Sequence, residues 1–347
     1  MSTPTLAAGA RLRSALEALL AGRDLAPAEA EAALGELLAD ASPPSIQAAF
    51  LTALRAKGET PDELAGFARG LLARARGLTH TRTPLVDTCG TGGDGTHSFN
   101  LSSATALLAA ALGLAVAKHG NRAVSSRAGS ADLFEALGCA FPPDPAAAEA
   151  ALERDGFVFL FAPHFHPALA ALALLRRELG VRTIFNLLGP LVNPARPTHQ
   201  LIGVASPVLA ERLAQAARRL GLEHAFVVHG EGFDEATPCG PFELHELRAG
   251  ALATRRLAPE VFGLSRCRAE DLAGGDAREN AARLVALFAG RERGPLRDAV
   301  CLNAALVLLL TEREREPHAA LRRAAAALDD GRAERLLARL RGSGGRA

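Results

Sequence analysis

Residues 87–138 read DTCGTGGDGTHSFNLSSATALLAAALGLAVAKHGNRAVSSRAGSADLFEALG, and no other part of the chain restricts the possible folds as tightly. A short extended run, 84–88, leads into Gly90, Gly92, Gly93 and Gly95, where the backbone can take positive φ and approach a ligand closely. Such a loop turns its N–H groups toward an anion. Asn100, Ser102 and Ser103 then open an alanine- and leucine-rich helix, which adds hydroxyls and a positive helix end beside the loop. Gly113 ends that helix, 114–117 read as a buried strand, and Lys118-His119-Gly120-Asn121-Arg122 follow at the strand's C-terminal end. Ligands of parallel α/β sheets bind at that end.

The segments on either side divide into two kinds. Before residue 79 the spacing predicts four amphipathic helices, 12–21, 27–39, 44–57 and 61–78, with Pro27, Pro44 and Pro61 placed as first-turn residues. From Thr83 strands alternate with helices: strands at 157–161, 200–204 and 224–229, helices at 130–137, 145–155, 168–179 and 207–220. Beyond 242–247, a strand or extended run, the chain reads as mostly helical (277–289, 294–310, 317–329 and 331–340), with 341–347 frayed. The expectation is an α/β protein in which a small all-helical N-terminal domain, 1–78, precedes a larger α/β domain, 79–347, with a mostly parallel central sheet.

At 347 residues the chain is long enough for one large domain plus a smaller one. Its 39 basic and 38 acidic residues leave a formal charge of +1, so any anion site is local and no broad field draws nucleic acid. Cys89, Cys139, Cys239, Cys267 and Cys301 are odd in number and lack C-x-x-C spacing, which argues against a disulfide framework or structural zinc and fits a reducing cytoplasm. The longest apolar run, 106–117, is too short to span a bilayer, and no signal peptide is expected. Only Lys57 and Lys118 are lysines in an otherwise arginine-using chain, a weak hint that these positions need a compact ammonium.

The glycine loop by itself suits a phosphate cradle and a plain turn equally well. It has neither the lysine ending of a Walker loop nor dinucleotide spacing. NLSS and KHGNR converging on the same strand ends favour the cradle. Asp234-Glu235, in a loop bounded by glycine and proline, would alone read as a solvated acidic tip. Beside a polyphosphate site the pair become candidate magnesium ligands, with Ser102 adding a hydroxyl oxygen. His164 and His166 lack a partner at zinc spacing and read as surface or pocket-wall residues. Arg176 and Arg177 share a helix and would ordinarily be solvated face residues, although one of them could still pair bidentately with a substrate carboxylate. Cys89 has no paired base nearby and is not read as a nucleophile.

GTGGDG and FNLSS within 90–103, KHGNRAVSS at 118–126, GSAD at 129–132, HPAL at 166–169, RRELGVRTIFNLLGPLVNPA at 176–195 and Asp234-Glu235 form a joint signature. In these segments the chain resembles the anthranilate phosphoribosyltransferases of tryptophan biosynthesis. The similarity runs from 47–60 to LNAA at 302–305, nearly the whole chain. Departures are small: Ser103, Arg127 and Phe233 stand where threonine, lysine and leucine or isoleucine are usual in the family.

The resemblance implies a cytoplasmic homodimer whose helical domain takes in a later segment near 164–183. It implies transfer of the phosphoribosyl group from phosphoribosyl pyrophosphate to anthranilate with Mg2+, two ions per subunit, and neither nucleic acid nor membrane as a partner. Phosphoribosyl pyrophosphate would meet Gly90, Gly93, Asp94, Ser98, Asn100, Leu101, Ser102, Ser103, Lys118, His119, Gly120, Asn121, Arg122, Ala123, Val124, Ser125, Ser126 and Ser130. Anthranilate would meet Gly90, Asn121, His166, Arg176, Gly189 and Pro190. Metal would be held by Ser102, Asp234 and Glu235, and with Lys118 the acidic pair would act electrostatically, no single residue being assigned as acid, base or nucleophile. The rival readings are a pyrimidine nucleoside phosphorylase-type enzyme of the same architecture and a nucleic-acid-binding relative without activity.

Overall fold

The computed structural model describes residues 9–39, 42–123 and 127–343. Four helices open the chain: α1 (Ala10–Leu20), α2 (Pro27–Leu37), α3 (Pro44–Lys57) and α4 (Pro61–Leu72). Proline begins the last three, and α4 is closed by a capping box in which the Thr60 hydroxyl accepts from Glu63 N while Glu63 accepts from Thr60 N. The buried Glu63 carboxylate is also bound by Lys57 Nζ at 3.0 Å. One of the two lysines therefore ties the turn between α3 and α4. Helix α4 is shorter than expected: regular helix stops at Leu72, and 76–84 carries no regular secondary structure before β1.

The α/β part contains β1 (Leu85–Gly90), α5 (Leu101–Ala111), β2 (Ala115–Gly120), α6 (Ser130–Ala136), α7 (Pro145–Asp155), β3 (Phe157–Phe161), α8 (Ala162–Phe165) and α9 (Ala173–Leu179). These are followed by β4 (His199–Gly203), α10 (Pro207–Arg219), β5 (His224–Gly230), β6 (Phe242–Arg248), β7 (Ala251–Leu257), α11 (Ala277–Phe288), α12 (Pro295–Leu310), α13 (Pro317–Asp329) and α14 (Arg332–Ser343). The strands form one seven-stranded sheet in the order β3-β2-β1-β4-β5-β6-β7. The first five are mutually parallel; β6 and β7 add as antiparallel neighbours.

Three further expectations need correction. Ala251–Leu257 is a strand where none was expected; its ALATRRL sequence is mostly exposed at the sheet edge and lacks a continuous apolar face. The expected helix 168–179 begins as a 3₁₀ turn, Pro167–Leu172, and becomes α-helical only at Ala173. Helix α14 also reaches Ser343, past the expected start of fraying at 341.

One sheet face packs against α5 and α11–α14. The other packs against α10 and the segment 184–192, and its core is continuous with that of α1–α4. Chain order reverses at β1, which has β2 on one side and β4 on the other. Open α/β sheets bind ligands in the crevice outside such a switch point. The loops after β1, β2 and β5 all reach this edge.

Candidate active site

The glycine loop leaves β1 and folds over its carboxyl end. Arg182, which follows α9, reaches into it: Nη2 donates to Thr91 O at 3.2 Å and to Gly92 O at 3.0 Å. Gly93 has φ +83°, and a Cβ there would collide with the Arg182 guanidinium. Glycine is thus needed for conformation and for close approach together. Burial pulls the Arg182 pKa down, with Asp234 and Asp94 among the groups opposing that shift.

The acidic pair comes from the loop after β5. Asp234 crosses the end of β4 so closely that a Cβ on Gly203 would collide with the Asp234 carbonyl. Its Oδ2 accepts from Gly92 N at 2.8 Å, and its own amide donates to Asp94 Oδ2 at 3.2 Å. Oxygens of Asp94, Asp234 and Glu235 lie within 4.8 Å of one another. Burial, followed by the charge of Asp94, raises the Asp234 carboxyl to about 6. Burial and then the charge of Asp234 push Glu235 well above the carboxylate range, and its Oε2 is buried without a partner. Three converging hard oxygen donors with like charge and an unpartnered oxygen fit a divalent cation of the magnesium class.

Lys118 forms the floor. It is 1% exposed, with Nζ donating to Thr88 O at 2.6 Å and Ser102 Oγ at 3.4 Å. Beside it Asp87 is fully buried and accepts from His119 N, Asn193 Nδ2 and Gln200 Nε2. Burial raises the Asp87 pKa, and Lys118 is the largest opposing influence. A compact ammonium suits this buried position beside β1.

Asn100 precedes α5 but does not cap it. Its Nδ2 donates to Ala128 O and its Oδ1 accepts from Asn280 Nδ2, so the side chain joins three segments instead. Ser98 pairs with Ala273, Leu101 is buried in the core, and Ser103 Oγ is buried without a partner. After β2, Asn121 is exposed, and its carbonyl accepts from Ala131 N and Ser130 Oγ. Ala123 N and Gly129 N both donate to Asp132 Oδ2, which draws the two ends of that loop together. Arg122 is exposed and paired with Asp132 and Glu135. Val124, Ser125 and Ser126 lie outside the described residues.

A second wall is less charged. The His119 and His166 rings lie 5.2 Å apart between centroids. His119 Nδ1 is 3.2 Å from Gly189 O, and His166 Nε2 is 2.8 Å from Val192 O. Burial holds both imidazoles neutral, His119 down to about 3. Pro190 O accepts from Gln200 Nε2 at 2.7 Å, which ties this wall to β4. Of the two neighbouring arginines only Arg176 is half-buried, with its Cζ 5.2 Å from the Phe185 ring centroid; Arg177 is exposed. His164 sits apart, its Nδ1 against Pro142 O. Cys89 is half-buried at the end of β1, and desolvation raises its thiol to about 12, so it offers no nucleophile.

Sequence reasoning missed Asp87, Arg182 and Asn193, and placed Asp94 with the phosphate ligands alone. Asp87 carried a signal as a carboxylate within the strand run LVDTCG. Arg182 carried none, because its reach across to the loop depends on tertiary placement.

A model of the glycosyl transferase family a/b domain matches residues 82–334, and one of that family's helical bundle domain matches 13–75. The anthranilate phosphoribosyltransferase of Chloroflexus aggregans is 48% identical over 330 residues, covering 94% of this chain and 96% of that protein. The chain belongs to the anthranilate phosphoribosyltransferase family. Among solved structures, the enzyme of Thermus thermophilus superposes with TM-score 0.88 at 44% identity, covering 94% of this chain and 98% of that one. The Saccharomyces cerevisiae enzyme, in complex with PRPP and Mg, gives TM-score 0.89 at 28% identity, covering 97% and 99%. Another structure of the yeast enzyme is a complex with 4-fluoroanthranilate.

Proposed function

We propose a division of labour between these two walls for the transfer of a phosphoribosyl group from phosphoribosyl pyrophosphate to anthranilate, which gives N-(5-phosphoribosyl)anthranilate and pyrophosphate. The acidic cluster of Asp94, Asp234 and Glu235 against the glycine loop is the observation that carries this reading. Displacement at the ribose anomeric carbon develops positive charge on the ring and negative charge on the departing pyrophosphate. Leaving-group stabilisation is therefore the main task. When bound, magnesium supplies positive charge against that pyrophosphate.

Asp94, Asp234, Glu235 and Ser102 would hold the cation, with two ions per subunit. Amides of residues 93–95 and the N-terminus of α5 hold phosphate oxygens, each well-placed donor contributing about 3 kcal/mol in the transition state. Ser98, Asn100, Ser103, Asn121 and Ser130 complete the cradle. Lys118 acts from beneath, through Thr88 and Ser102.

The anthranilate amine is neutral at pH 7 and needs no base, in keeping with imidazoles held unprotonated by burial. Arg176 orients the carboxylate, a positioning role. His166, Gly189, Pro190, Gly90 and Asn121 bound the channel in which the two substrates meet. Residues 1–78 together with 164–183 form the helical domain and the remainder of 79–347 the α/β domain, a division supported by the packing of α9 on α3. The working form is a cytoplasmic homodimer, which sedimentation of the purified protein would test. Among the described residues no helix is long and apolar enough to cross a membrane.

The deciding experiment follows anthranilate fluorescence. The reading requires loss of signal with phosphoribosyl pyrophosphate and Mg2+ together and not with either alone. Consumption of a pyrimidine nucleoside with phosphate, and none of anthranilate, would contradict it.

A further inference from the structure

Helix α12 contains one strongly polar side chain between residues 299 and 310, Asn303, in the run AVCLNAALVLLL. It is 2% exposed and lies in the core between α5 and the sheet. An apolar side chain of similar volume would serve the core at least as well, because a buried carboxamide must find hydrogen bonds to offset its lost hydration. Asn303 Nδ2 donates 2.9 Å to Ala299 O, one turn back, and 2.7 Å to Ala236 O. The first bond lies within the helix. The second leaves it and lands on the residue immediately after Glu235.

Two further observations place that bond in the site's support. Asn303 lines a cavity of about 10 Å³ together with Ser102, Thr105 and Glu235. Within that lining Glu235 Oε2 and Thr105 Oγ1 are buried without partners. The acidic loop is already pressed onto β4 and β5, since Cβ atoms on Gly203 and Gly230 would collide with the Asp234 and Glu235 carbonyls. The carboxamide holds the loop from the α12 side.

We infer that Asn303 is a positioning residue for the metal-holding loop: by fixing the Ala236 carbonyl it sets where Asp234 and Glu235 present their oxygens. The inference rests on the proposed reading of that loop as the metal site. Groups behind metal ligands typically change metal affinity by roughly 10–100-fold when removed.

Asn303→Leu preserves volume and removes both bonds. Asn303→Ser can still bond Ala299 O within the helix but is one atom too short to span to Ala236 O. Binding of Mn2+ in the presence of phosphoribosyl pyrophosphate, read as free ion by electron paramagnetic resonance, is measured beside the Mg2+ dependence of turnover and the melting temperature. Both variants are expected to weaken Mn2+ binding about tenfold or more and to raise half-saturating Mg2+ by a similar factor. The anthranilate KM should stay at the parent value, and the leucine variant should melt within a few degrees of the parent. Unchanged Mn2+ affinity in both variants would overturn the inference, as would equal rises in metal requirement and anthranilate KM. If Asn303→Leu fails to fold, the serine variant decides. Asp234→Asn with Glu235→Gln is the control. If that pair leaves Mn2+ binding intact, the metal reading itself fails; if it abolishes binding while the Asn303 variants do not, only the positioning role fails.

Discussion

The two walls of the site are stabilised in opposite ways. On the phosphate side Asp94, Asp234 and Glu235 crowd together under burial, which drives the pKa values of Asp234 and Glu235 up. On the channel side His119 and His166 are buried neutral, and Arg176 lies over Phe185 with its charge partly desolvated. The first wall carries like charges that a cation would relieve. The second offers flat, uncharged surfaces and one cation, suited to an aromatic ring bearing a carboxylate. On the proposed reading, each wall lacks what its substrate would supply.

The largest test of this contrast is Asp234→Asn with Glu235→Gln. Loss of a well-placed electrostatic group typically costs 10²–10³ in turnover, so a fall of roughly 10²-fold or more is expected, with a raised Mg2+ requirement, from steady-state rates across a Mg2+ series. Unchanged metal dependence would remove the pair from the mechanism. The opposite wall should answer to Arg176→Ala. A charge-assisted hydrogen bond is worth about 1.5–3 kcal/mol, so the anthranilate KM should rise roughly 10–100-fold while that for phosphoribosyl pyrophosphate moves far less. Equal rises would erase the distinction between the walls.

How far the sequence exposed each wall follows from the same physics. The glycine loop, NLSS, KHGNR and the acidic pair are local in sequence, and the parallel part of the sheet followed from strand–helix alternation. Residues that act across the fold were hidden. Asp87 becomes a counter-ion of Lys118 only when β1 and β2 pair, and Asn193 bonds Asp87 across 106 positions. Arg182 looks like an ordinary residue after a helix until it meets the loop some 90 positions earlier. Strand β7 escaped because edge strands need no alternating apolar pattern.

Arg182 follows α9, which carries Arg176, and holds the glycine loop, so its removal should have an intermediate effect. Arg182→Ala frees the Thr91 and Gly92 carbonyls; the expected result is a several-fold rise in the KM for phosphoribosyl pyrophosphate, with less change for anthranilate. Gly93→Ala should act the same way and also lower the melting temperature, because a non-glycine residue held at positive φ costs about 1–3 kcal/mol.

The smallest effect expected is in pH dependence, where the walls should move stability in opposite directions. Asp234, raised to about 6, holds a proton that the unfolded chain has already released at pH 5. Its contribution therefore favours the metal-free fold as pH falls through 6 and opposes it above. His119, lowered to about 3, lacks a proton that the unfolded chain gains below its ordinary 6.5, so its contribution is lost as pH falls through that range. Asp234→Asn should raise the melting temperature of the metal-free protein at pH 8 by a few degrees. Half-saturating Mg2+ for the parent should rise as pH drops below 6.

Crystals grown with phosphoribosyl pyrophosphate and Mn2+ would show whether the loops after β1 and β5 together hold the cation. Anomalous scattering from manganese is expected among the carboxylates of Asp94, Asp234 and Glu235. Manganese bound elsewhere, with those three carboxylates free of metal, would contradict it.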